Sequence, residues 1–285
     1  MRTLELMMTR SDIVVRPSKL RVLALLPALA IAVAGCGDDS TPPASQPTGG
    51  GGQPQVALVQ PGTLTNCTGL PYKPFEYEEG GKVIGFDIDL VDLVAKKLGV
   101  TQKIVDTPFD GIQSGADFNA GKCDLSSAGM TITEDRKKDI DFSDPYFDAT
   151  QALVAKKGSG LDDITKLSGK KLGVQNETTG QDYAEKNASG ASLVNFEDLG
   201  LELQALETGA VDAAINDNGV LYDWVKDKPD FEVTKEFDTG EQYGIGVKKG
   251  NTELLKVIND VLAEVKSSGE YDRIYEKWFG KKPTK

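Results

Sequence analysis

Apolar and polar residues follow two different spacings between about residues 60 and 280. Short apolar runs such as 152–156 and 211–215 are typical of buried strands, whereas Leu90, Val94 and Leu98 recur at the spacing of an amphipathic helix. Strand and helix patterns take turns along this whole stretch. That order predicts an α/β fold built on parallel sheets.

Two nine-residue segments, 121–129 and 209–217, share one pattern. Each begins with a turn glycine, has an Asp three residues later, continues as a short apolar strand and ends in a polar break. The match indicates two similar half-molecules in which Gly129 and Asp217 hold equivalent places. Because ligands of such sheets lie outside the carboxyl ends of the strands, we expect these two ends to face each other across a cleft.

The loop after the first segment carries the chemistry of an anion site. Thr133 is a suitable N-cap for a short helix over 134–138, and Arg136 lies in its first turn. A guanidinium can grip a carboxylate with two parallel hydrogen bonds. The charge pattern also allows Arg136 to be a solvated surface residue paired loosely with Asp139. With Asp217 opposite, the first interpretation gives a cation and a carboxylate, which match the two ends of a zwitterionic amino acid.

A specific resemblance rests on three motifs: PYKPFEY at 71–77, GFDIDL at 85–90 and AGMTITEDRKKDIDFSDPY at 128–146. They resemble the polar amino-acid branch of the extracytoplasmic solute-binding proteins, which are receptors of ABC importers. The similarity extends over about residues 60 to 280 and is greatest to glutamine-type receptors. It implies amino-acid binding without catalysis and without a cofactor.

The same resemblance implies a two-lobe fold of the type II periplasmic-binding kind, each lobe a mostly parallel sheet flanked by helices. The first lobe takes residues 57–148 and 243–285, and the second takes 149–242. Two hinge crossings join the lobes and permit closure around a ligand. The helices expected near 252–267 and 271–279 pack on the first lobe.

A set of ligand-binding residues follows from the resemblance: Tyr72, Phe109, Ala128, Gly129, Thr131, Arg136, Thr178, Thr179 and Asp217. Arg136, Thr131 and the Gly129 N–H are implied to take the ligand carboxylate. Asp217 and the Ala128 carbonyl are implied to take its ammonium group.

Three of these assignments have structural alternatives. Tyr72 and Phe109 are implied to enclose the ligand side chain, although Phe109 suits core packing equally well. The Thr178–Thr179 turn before a helix offers N–H groups and hydroxyls to an anion, yet Thr179 also suits the N-cap of that helix. Asp217 is equally able to cap the helix that follows it.

Side-chain selectivity is expected to depend on Gly69, Gln175, Glu177 and Asn216. By resemblance, receptors for basic amino acids carry an acid two or three residues before the loop aromatic, where this chain has Gly69. Burying a cation without a partner is costly, so Gly69 favours an uncharged ligand. Glu177 can supply a carboxylate from the other lobe and weakens that argument. Gln175 and Asn216 suit a side-chain amide or hydroxyl, and glutamine is the first expectation.

Two other classes of function share this scaffold. A dehydratase of cyclohexadienyl acids needs a proton donor in the cleft, and Glu177 is the candidate. A sensor subunit would present its ligand to a signalling partner, but the sequence shows neither a transmembrane helix nor an output domain. We therefore expect a monomeric receptor whose partners are an ABC permease and its ATPase.

Residues 1–35 have the pattern of an export signal. A basic region precedes a mostly apolar run at 22–33, which is too short to span a membrane. The run ends in VAGC at 33–36, which resembles a bacterial lipobox and implies lipidation of Cys36. An ordinary secretory signal is the alternative. Residues 36–56 have almost no apolar content and are expected to tether the lobes flexibly to the outer face of the cell membrane.

Charge and composition exclude several classes of function. The chain has a net charge of −12, and residues 1–35 carry five Lys or Arg against two Asp or Glu, so the part from Cys36 onward is near −15. This charge argues against nucleic acid and against adsorption to anionic lipid. The sequence contains no His, which excludes His-based nucleophilic triads and His-ligated metal sites. No metal is expected.

Cys67 and Cys123 remain once Cys36 is lipidated, and export permits a disulfide between them. Cys67 lies two residues before its strand end and Cys123 six residues before its own. If the strands are neighbours in register, that offset is roughly 13 Å. This distance exceeds disulfide reach, so a disulfide and a pair of small buried thiols both stay open.

Overall fold

The computed structural model of this chain describes residues 56–283. Its strands are β1 Thr63–Thr68, β2 Tyr77–Glu79, β3 Lys82–Ile84, β4 Thr101–Asp106, β5 Leu125–Ser126, β6 Ile140–Phe142, β7 Phe147–Lys156, β8 Lys171–Gln175, β9 Ser192–Phe196, β10 Ala213–Asp217, β11 Phe231–Tyr243 and β12 Gly246–Lys248. Its α-helices are α1 Phe86–Leu98, α2 Phe109–Gln113, α3 Ala116–Asn119, α4 Thr179–Asn187, α5 Leu199–Thr208, α6 Asn218–Lys226, α7 Thr252–Ser268 and α8 Glu270–Phe279.

Ten of these strands form two five-stranded sheets of the same design. The first sheet has the order β4-β1-β5-β12-β6 and the second has the order β11-β7-β10-β8-β9. In each sheet four strands share one direction and one strand runs against them, β12 in the first and β7 in the second. Helices pack on both sheets. The predicted α/β class with mostly parallel sheets is confirmed.

Each reversed strand is the first strand after the chain has passed from one sheet to the other. β6 ends at Phe142, and β7 begins in the second sheet at Phe147. β11 ends at Tyr243, and β12 returns to the first sheet at Gly246. The lobe boundaries predicted at 148/149 and 242/243 fall within two residues of these strand ends.

The last two helices, α7 and α8, pack on the first lobe, as expected. α7 and α8 contact α1, and their buried residues share one hydrophobic core with it. The Phe86 ring at the start of α1 lies 5.8 Å from that of Tyr271 and 5.4 Å from that of Phe279, measured between centroids. At the edge of this contact, Trp278 Nε1 donates to Asp89 Oδ2 at 2.7 Å.

The repeated segments have the same local structure in both lobes. Asp124, just before β5, accepts from the Thr65 N–H of β1 at 2.7 Å and donates its own N–H to the Thr65 carbonyl at 3.0 Å. Asp212, just before β10, makes the same two bonds with Lys171 of β8, both at 2.8 Å. Each aspartate therefore ties the start of its strand to the neighbouring strand, which explains why both copies carry it.

Cys67 and Cys123 form a disulfide, with their Cα atoms 5.7 Å apart. The larger separation predicted from strand register was wrong because Cys123 does not belong to a strand. The short strand predicted within 121–129 consists only of Leu125 and Ser126, and the chain bends at residues 122 and 124. These bends bring Cys123 beside Cys67 instead of further along the sheet, and the alternative of two free thiols is excluded.

Two short segments form 3₁₀ turns, and one of them is the helix predicted over 134–138. The segment 161–167 contains one 3₁₀ turn, Ile164–Lys166. The segment 134–138 also contains a 3₁₀ turn, Arg136–Lys138, whose N-cap residue is Asp135 and not Thr133 as predicted. Thr133 Oγ1 still accepts from the Arg136 N–H at 3.1 Å.

None of the helices within residues 56–283 is long and apolar enough to cross a membrane. The predicted export signal, Cys36 and all but the last residue of the predicted tether lie outside the residues that the structure describes.

Candidate functional site

A cavity lies between the two lobes at the carboxyl ends of their parallel strands. The free space inside it is about 20 Å³, which is close to the room that one water molecule needs. The lining residues are Gly69, Tyr72, Phe109, Ala128, Gly129, Thr131, Arg136, Gln175, Thr178, Thr179 and Asp217. All nine residues predicted to bind a ligand are in this lining, together with two of the four selectivity candidates.

Arg136 is buried at the cavity, with 7% of its surface exposed. Its Nη1 donates to the Thr131 carbonyl and its Nη2 to the Glu177 carbonyl of the other lobe, both at 2.9 Å. The guanidinium carbon lies 5.0 Å from the centre of the Phe109 ring, close enough for a cation–π contact. Burial lowers the pKa of Arg136, and the negative charge of Asp217 opposes that shift. The alternative of a solvated surface charge is wrong.

Asp217 faces the cavity from the end of β10. Its Oδ2 accepts from the hydroxyls of Tyr72, at 2.9 Å, and of Tyr243, while its Oδ1 accepts from the Gln151 amide. The side chain makes no capping bond to α6, so the alternative capping role is wrong. Burial, and after it the nearby charge of Glu241, raises the pKa of Asp217 to about 6. The carboxylate is therefore mostly ionised at neutral pH and suited to a cation.

The hydroxyls of Thr131, in the first lobe, and Thr179, in the second lobe, bond to the same carboxylate. They donate to Glu241 Oε2 at 2.9 Å and 2.7 Å respectively. Glu241 belongs to β11, the strand that leads back to the first lobe. Thr178, not Thr179, caps α4, because its hydroxyl accepts from the Gln181 N–H at 3.2 Å. The capping alternative for Thr179 is wrong, and its hydroxyl is directed into the cleft.

The Gly129 N–H is already used inside the first lobe, contrary to the role expected for it. It donates to Asp87 Oδ2 at 3.0 Å, and the Tyr146 hydroxyl donates to the same oxygen at 2.6 Å. Gly129 has a φ of 52°, and a Cβ atom there would lie 2.6 Å from the Tyr72 ring. Glycine is therefore required by the close approach of Tyr72. No group among residues 56–283 donates to the Ala128 carbonyl, which stays a predicted acceptor for an ammonium group.

Two of the four selectivity candidates lie outside the cavity lining. Glu177 is exposed, has a φ of 61°, and accepts at Oε2 from Gln113 Nε2 at 3.3 Å. Asn216 is buried and makes four hydrogen bonds within the protein. Gly69 and Gln175 line the cavity and stay candidates for contact with a ligand side chain.

The sequence reasoning missed four polar residues that complete the site: Asp87, Gln151, Glu241 and Tyr243. Asp87 lies in the first turn of α1, where an acidic residue is also favourable for the helix itself. Two signals in the sequence were available for the others. Gln151 is the one amide in the strand 147–156, and Glu241 and Tyr243 directly precede the second hinge crossing.

One group among the described residues has the composition of a metal site: Cys67, Asp117 and Cys123. Metals bind thiolates, and both sulfurs are joined in the disulfide. Asp117 Oδ2 accepts instead from the Thr107 hydroxyl at 3.0 Å and from Lys122 Nζ at 3.3 Å. This group does not fit a metal ion.

Comparison with known proteins identifies the family that shares this architecture. A sequence model of the bacterial extracellular solute-binding proteins, family 3, matches residues 64–281. The chain belongs to this family. The match spans both lobes and the whole cavity lining, so the resemblance inferred from the three motifs is confirmed.

Relatives in family 3 are named for different amino acids. A probable histidine-binding protein of Neisseria gonorrhoeae is 35% identical over 91% of this chain and 95% of its own length. The glutamine-binding protein GlnH of an ABC transporter of Bacillus subtilis (strain 168) is 40% identical over 71% of this chain and 75% of its own length.

Solved structures of family 3 superimpose on this chain. An ancestral arginine-binding protein bound to glutamine has a TM-score of 0.74 at 46% identity, covering 78% of this chain and 100% of its own. An ancestral arginine-binding protein bound to arginine has a TM-score of 0.73 at 46% identity, covering 76% of this chain and 98% of its own. The expected type II periplasmic-binding fold is confirmed.

Proposed function

We propose that this protein is the extracytoplasmic receptor of an ABC importer and binds one polar amino acid between its lobes. The proposal is carried by one observation: Arg136 and Asp217 reach the same cavity from opposite lobes. A guanidinium suits an α-carboxylate and a carboxylate suits an α-ammonium group. A zwitterion held in this way contacts both lobes at once and favours the closed arrangement. The receptor then delivers the ligand to the ABC permease, which works together with its ATPase.

The ligand carboxylate is bound by Arg136, Thr131 and Thr179. Two of the Arg136 donors already bond to backbone carbonyls, and a guanidinium has five, so three stay available. The two threonine hydroxyls bond to Glu241 in the structure described here, and they exchange that carboxylate for the carboxylate of the ligand. Thr178 shapes the same turn through its cap of α4.

The ligand ammonium group is bound by Asp217 and the Ala128 carbonyl. Tyr72 and Phe109 enclose the ligand side chain, since both are more than nine-tenths buried and line the cavity. The Tyr72 hydroxyl already reaches Asp217 across the cleft, so closure places its ring over the bound ligand.

Glutamine is the first choice of ligand, ahead of glutamate and arginine. The relatives do not decide the matter, because their names include arginine, glutamine, histidine and cystine. Gly69 places no carboxylate beside the ligand side chain. The Glu177 carboxylate lies outside the cavity lining, so it does not weaken the argument from Gly69.

The cavity is built for binding and not for catalysis. Among the described residues, Asp217 is the one carboxyl group in its lining, and the ammonium group of the ligand uses it. One similar structure is an ancestral amino-acid-binding protein described as a precursor of cyclohexadienyl dehydratase, at a TM-score of 0.72 and 37% identity. The proton donor considered for such chemistry, Glu177, is exposed outside the cavity. These facts favour a receptor that makes and breaks no bond.

The protein acts as a monomer anchored at the outer face of the cell membrane by a lipid on Cys36. A diacylglyceryl group supplies two acyl chains, which are enough for stable anchoring. In cells that express the full chain, Cys36→Ser is expected to move the protein from the membrane fraction to the soluble fraction. Membrane retention of this variant would contradict the lipid anchor and leave the binding function untouched.

Binding itself is tested by a thermal-shift screen of the twenty amino acids on protein refolded to remove carried-over ligand. A true ligand at a hundredfold excess over its Kd stabilises the folded state by about 2.7 kcal/mol. We expect glutamine to give the largest shift. A flat screen would reject the proposed function.

A further inference from the structure

We propose that Asn216 and Glu202, which do not line the cavity, hold the Gln175 amide with its NH2 group toward the ligand. The site would then select side chains that carry a hydrogen-bond acceptor. This inference rests on the proposed amino-acid binding and adds the positioning residues that set its selectivity.

The orientation of the Asn216 amide is fixed from two sides. Its Oδ1 accepts from the backbone N–H of Asp217 at 2.9 Å, and a backbone N–H can only donate. On the other side its Nδ2 donates to Glu202 Oε2 at 2.9 Å. The Tyr72 hydroxyl lies 3.0 Å from the same Oδ1 and shares its single hydrogen between this oxygen and Asp217 Oδ2. A flipped amide would place its NH2 group against the Asp217 N–H.

The orientation of the Asn216 amide in turn fixes the orientation of the Gln175 amide. The Asn216 Nδ2 group also donates to Gln175 Oε1, at 3.3 Å. Gln175 is 7% exposed and lines the cavity. Its Oε1 already has a partner, whereas its Nε2 makes no hydrogen bond among residues 56–283. The group that Gln175 can offer a ligand is therefore a pure donor.

Glu202 has two neighbours for its carboxyl group, the Asn216 amide and the Ile215 backbone. It is fully buried on the face of α5 that also carries Leu199, Leu203 and Leu206. A carboxyl group buried among leucines is unfavourable unless it is hydrogen-bonded. Whether protonated or ionised, its Oε2 can accept from Asn216. Within residues 56–283 the one side chain that donates to Glu202 is that of Asn216, and we assign Glu202 the role of holding it.

Amino-acid side chains differ in what they present to such a donor. Glutamine and glutamate end in carbonyl or carboxylate oxygens, which accept hydrogen bonds. Arginine and lysine end in groups that only donate, so they would set donor against donor at Gln175. A site built to hydrogen-bond a ligand group discriminates strongly against analogues that lack it.

Isothermal titration with four ligands tests the inference on the wild-type protein. Glutamine and the γ-methyl ester of glutamate both carry a neutral acceptor, norleucine has no polar group, and arginine carries donors only. We expect the first two to bind at least about tenfold more tightly than the last two. Gln175→Glu replaces the donor by an acceptor and is expected to reverse the order of glutamine and arginine.

A matched pair at Glu202 tests the positioning role. Glu202→Gln keeps an oxygen for the Asn216 amide and should preserve the preference for glutamine. Glu202→Met removes that oxygen and should reduce the glutamine-to-arginine affinity ratio at least about threefold, a change in specificity that a general loss of packing would not cause. Norleucine affinity should stay the same in both variants.

Equal binding of glutamine and arginine by the wild-type protein would overturn the inference while leaving amino-acid binding intact. An unchanged ratio in Glu202→Met would remove Glu202 from the assignment. If Glu202→Met does not fold, the Gln175→Glu reversal decides. Failure of all four ligands to bind would reject the proposed function, and the inference with it.

Discussion

Arg136 in the first lobe donates from Nη2 to the backbone carbonyl of Glu177 in the second lobe, at 2.9 Å. One side chain therefore joins the turn after β5 to the turn after β8 across the cleft. Arg136 is also the residue proposed to bind the ligand carboxylate. Contact between the lobes and contact with the ligand thus depend on the same guanidinium, which couples binding to closure.

The first prediction concerns the geometry of Arg136. Arg136→Lys keeps the positive charge but replaces a planar fork of five donors by a point charge. We expect affinity for the best ligand to fall at least about tenfold, or about 1.4 kcal/mol, by isothermal titration. Lys138→Ala, at an exposed residue of the same 3₁₀ turn, should leave affinity unchanged. Equal affinities for Arg136→Lys and wild type would show that Arg136 does not hold the ligand.

The second prediction concerns the backbone at Glu177. Its φ of 61° lies in the left-handed region, where a Cβ atom costs roughly 1 kcal/mol and glycine costs nothing. Glu177→Gly should therefore exceed Glu177→Ala in unfolding free energy by about that amount, measured by urea denaturation. Both variants should bind ligand as the wild type does, because the Glu177 side chain points out of the cavity. A loss of affinity in both would instead assign the carboxylate a role in binding.

The lining of the cavity was located well because the resemblance to the solute-binding proteins supplied most of its residues, which lie at the ends of β1, β4, β5, β8 and β10. Thr131 and Arg136 follow β5 of the first sheet and Asp217 ends β10 of the second, so the strand pattern places each of them at the carboxyl edge of its own sheet. Glu241 and Gln151 lie inside long strands, where an alternating pattern gives no sign that a side chain turns into the cleft. Side-chain partners across the hinge depend on how the two sheets meet, which local pattern does not encode.

The hydrogen-bond partners of the site residues were harder to predict than the residues themselves. Gly129 was expected to offer its N–H to a ligand, and its place in the cavity lining agrees with that expectation. The Gly129 N–H donates instead to Asp87 of α1. Asp87 is 42 residues away in sequence, so the local pattern does not predict this bond. The distance argument against the disulfide failed for a related reason, since two bends around Cys123 replaced the straight strand on which the distance was based.

The third prediction is a loss of ligand affinity in mild acid. Asp217 must be ionised to hold an ammonium group, and burial together with the Glu241 charge raises its pKa to about 6. Affinity should be constant above about pH 7 and lower by about tenfold at pH 5, where roughly one Asp217 in eleven is ionised. Titrations from pH 5 to pH 8 in one buffer series measure this directly.

Glu241→Gln is the matched variant for that pH profile. It keeps an oxygen for the Thr131 and Thr179 hydroxyls but removes the like charge that helps to raise the pKa of Asp217. The fall in affinity should therefore begin at lower pH than in the wild type. A wild-type affinity that does not change between pH 8 and pH 5 would contradict the role of Asp217.

The fourth prediction concerns the disulfide between Cys67 and Cys123. The two residues are 56 positions apart in sequence, and cross-linking a loop of that length stabilises a protein by about 4 kcal/mol in the chain-entropy estimate. Cys67→Ser, Cys123→Ser and the double variant should lose similar stability, because each removes the same bond. Ligand affinity should change little at temperatures where all variants are folded. Clearly additive losses from the two single variants would indicate that packing, not the bond, dominates.

The last prediction concerns the pH dependence of folding stability. Burial raises the pKa of Glu202 to about 8 and that of Asp87 to about 6, whereas both are near 4 in an unfolded chain. Between these values the folded state binds protons that the unfolded state does not. The unfolding free energy must therefore fall as pH rises from about 4.5 to about 8 and level off above that range.

Melting curves of the ligand-free protein at pH 5, 6, 7 and 8 should accordingly show the highest Tm at pH 5. In the Glu202→Gln variant residue 202 cannot titrate, so the fall of Tm with rising pH should be less steep. The difference should be clearest between pH 6 and pH 8, where Asp87 contributes little. Glu134→Gln, at an exposed position with a side chain 88% accessible, controls for the change in net charge and should keep the wild-type slope. A Glu202→Gln profile parallel to that of the wild type would show that Glu202 does not take up its proton on folding.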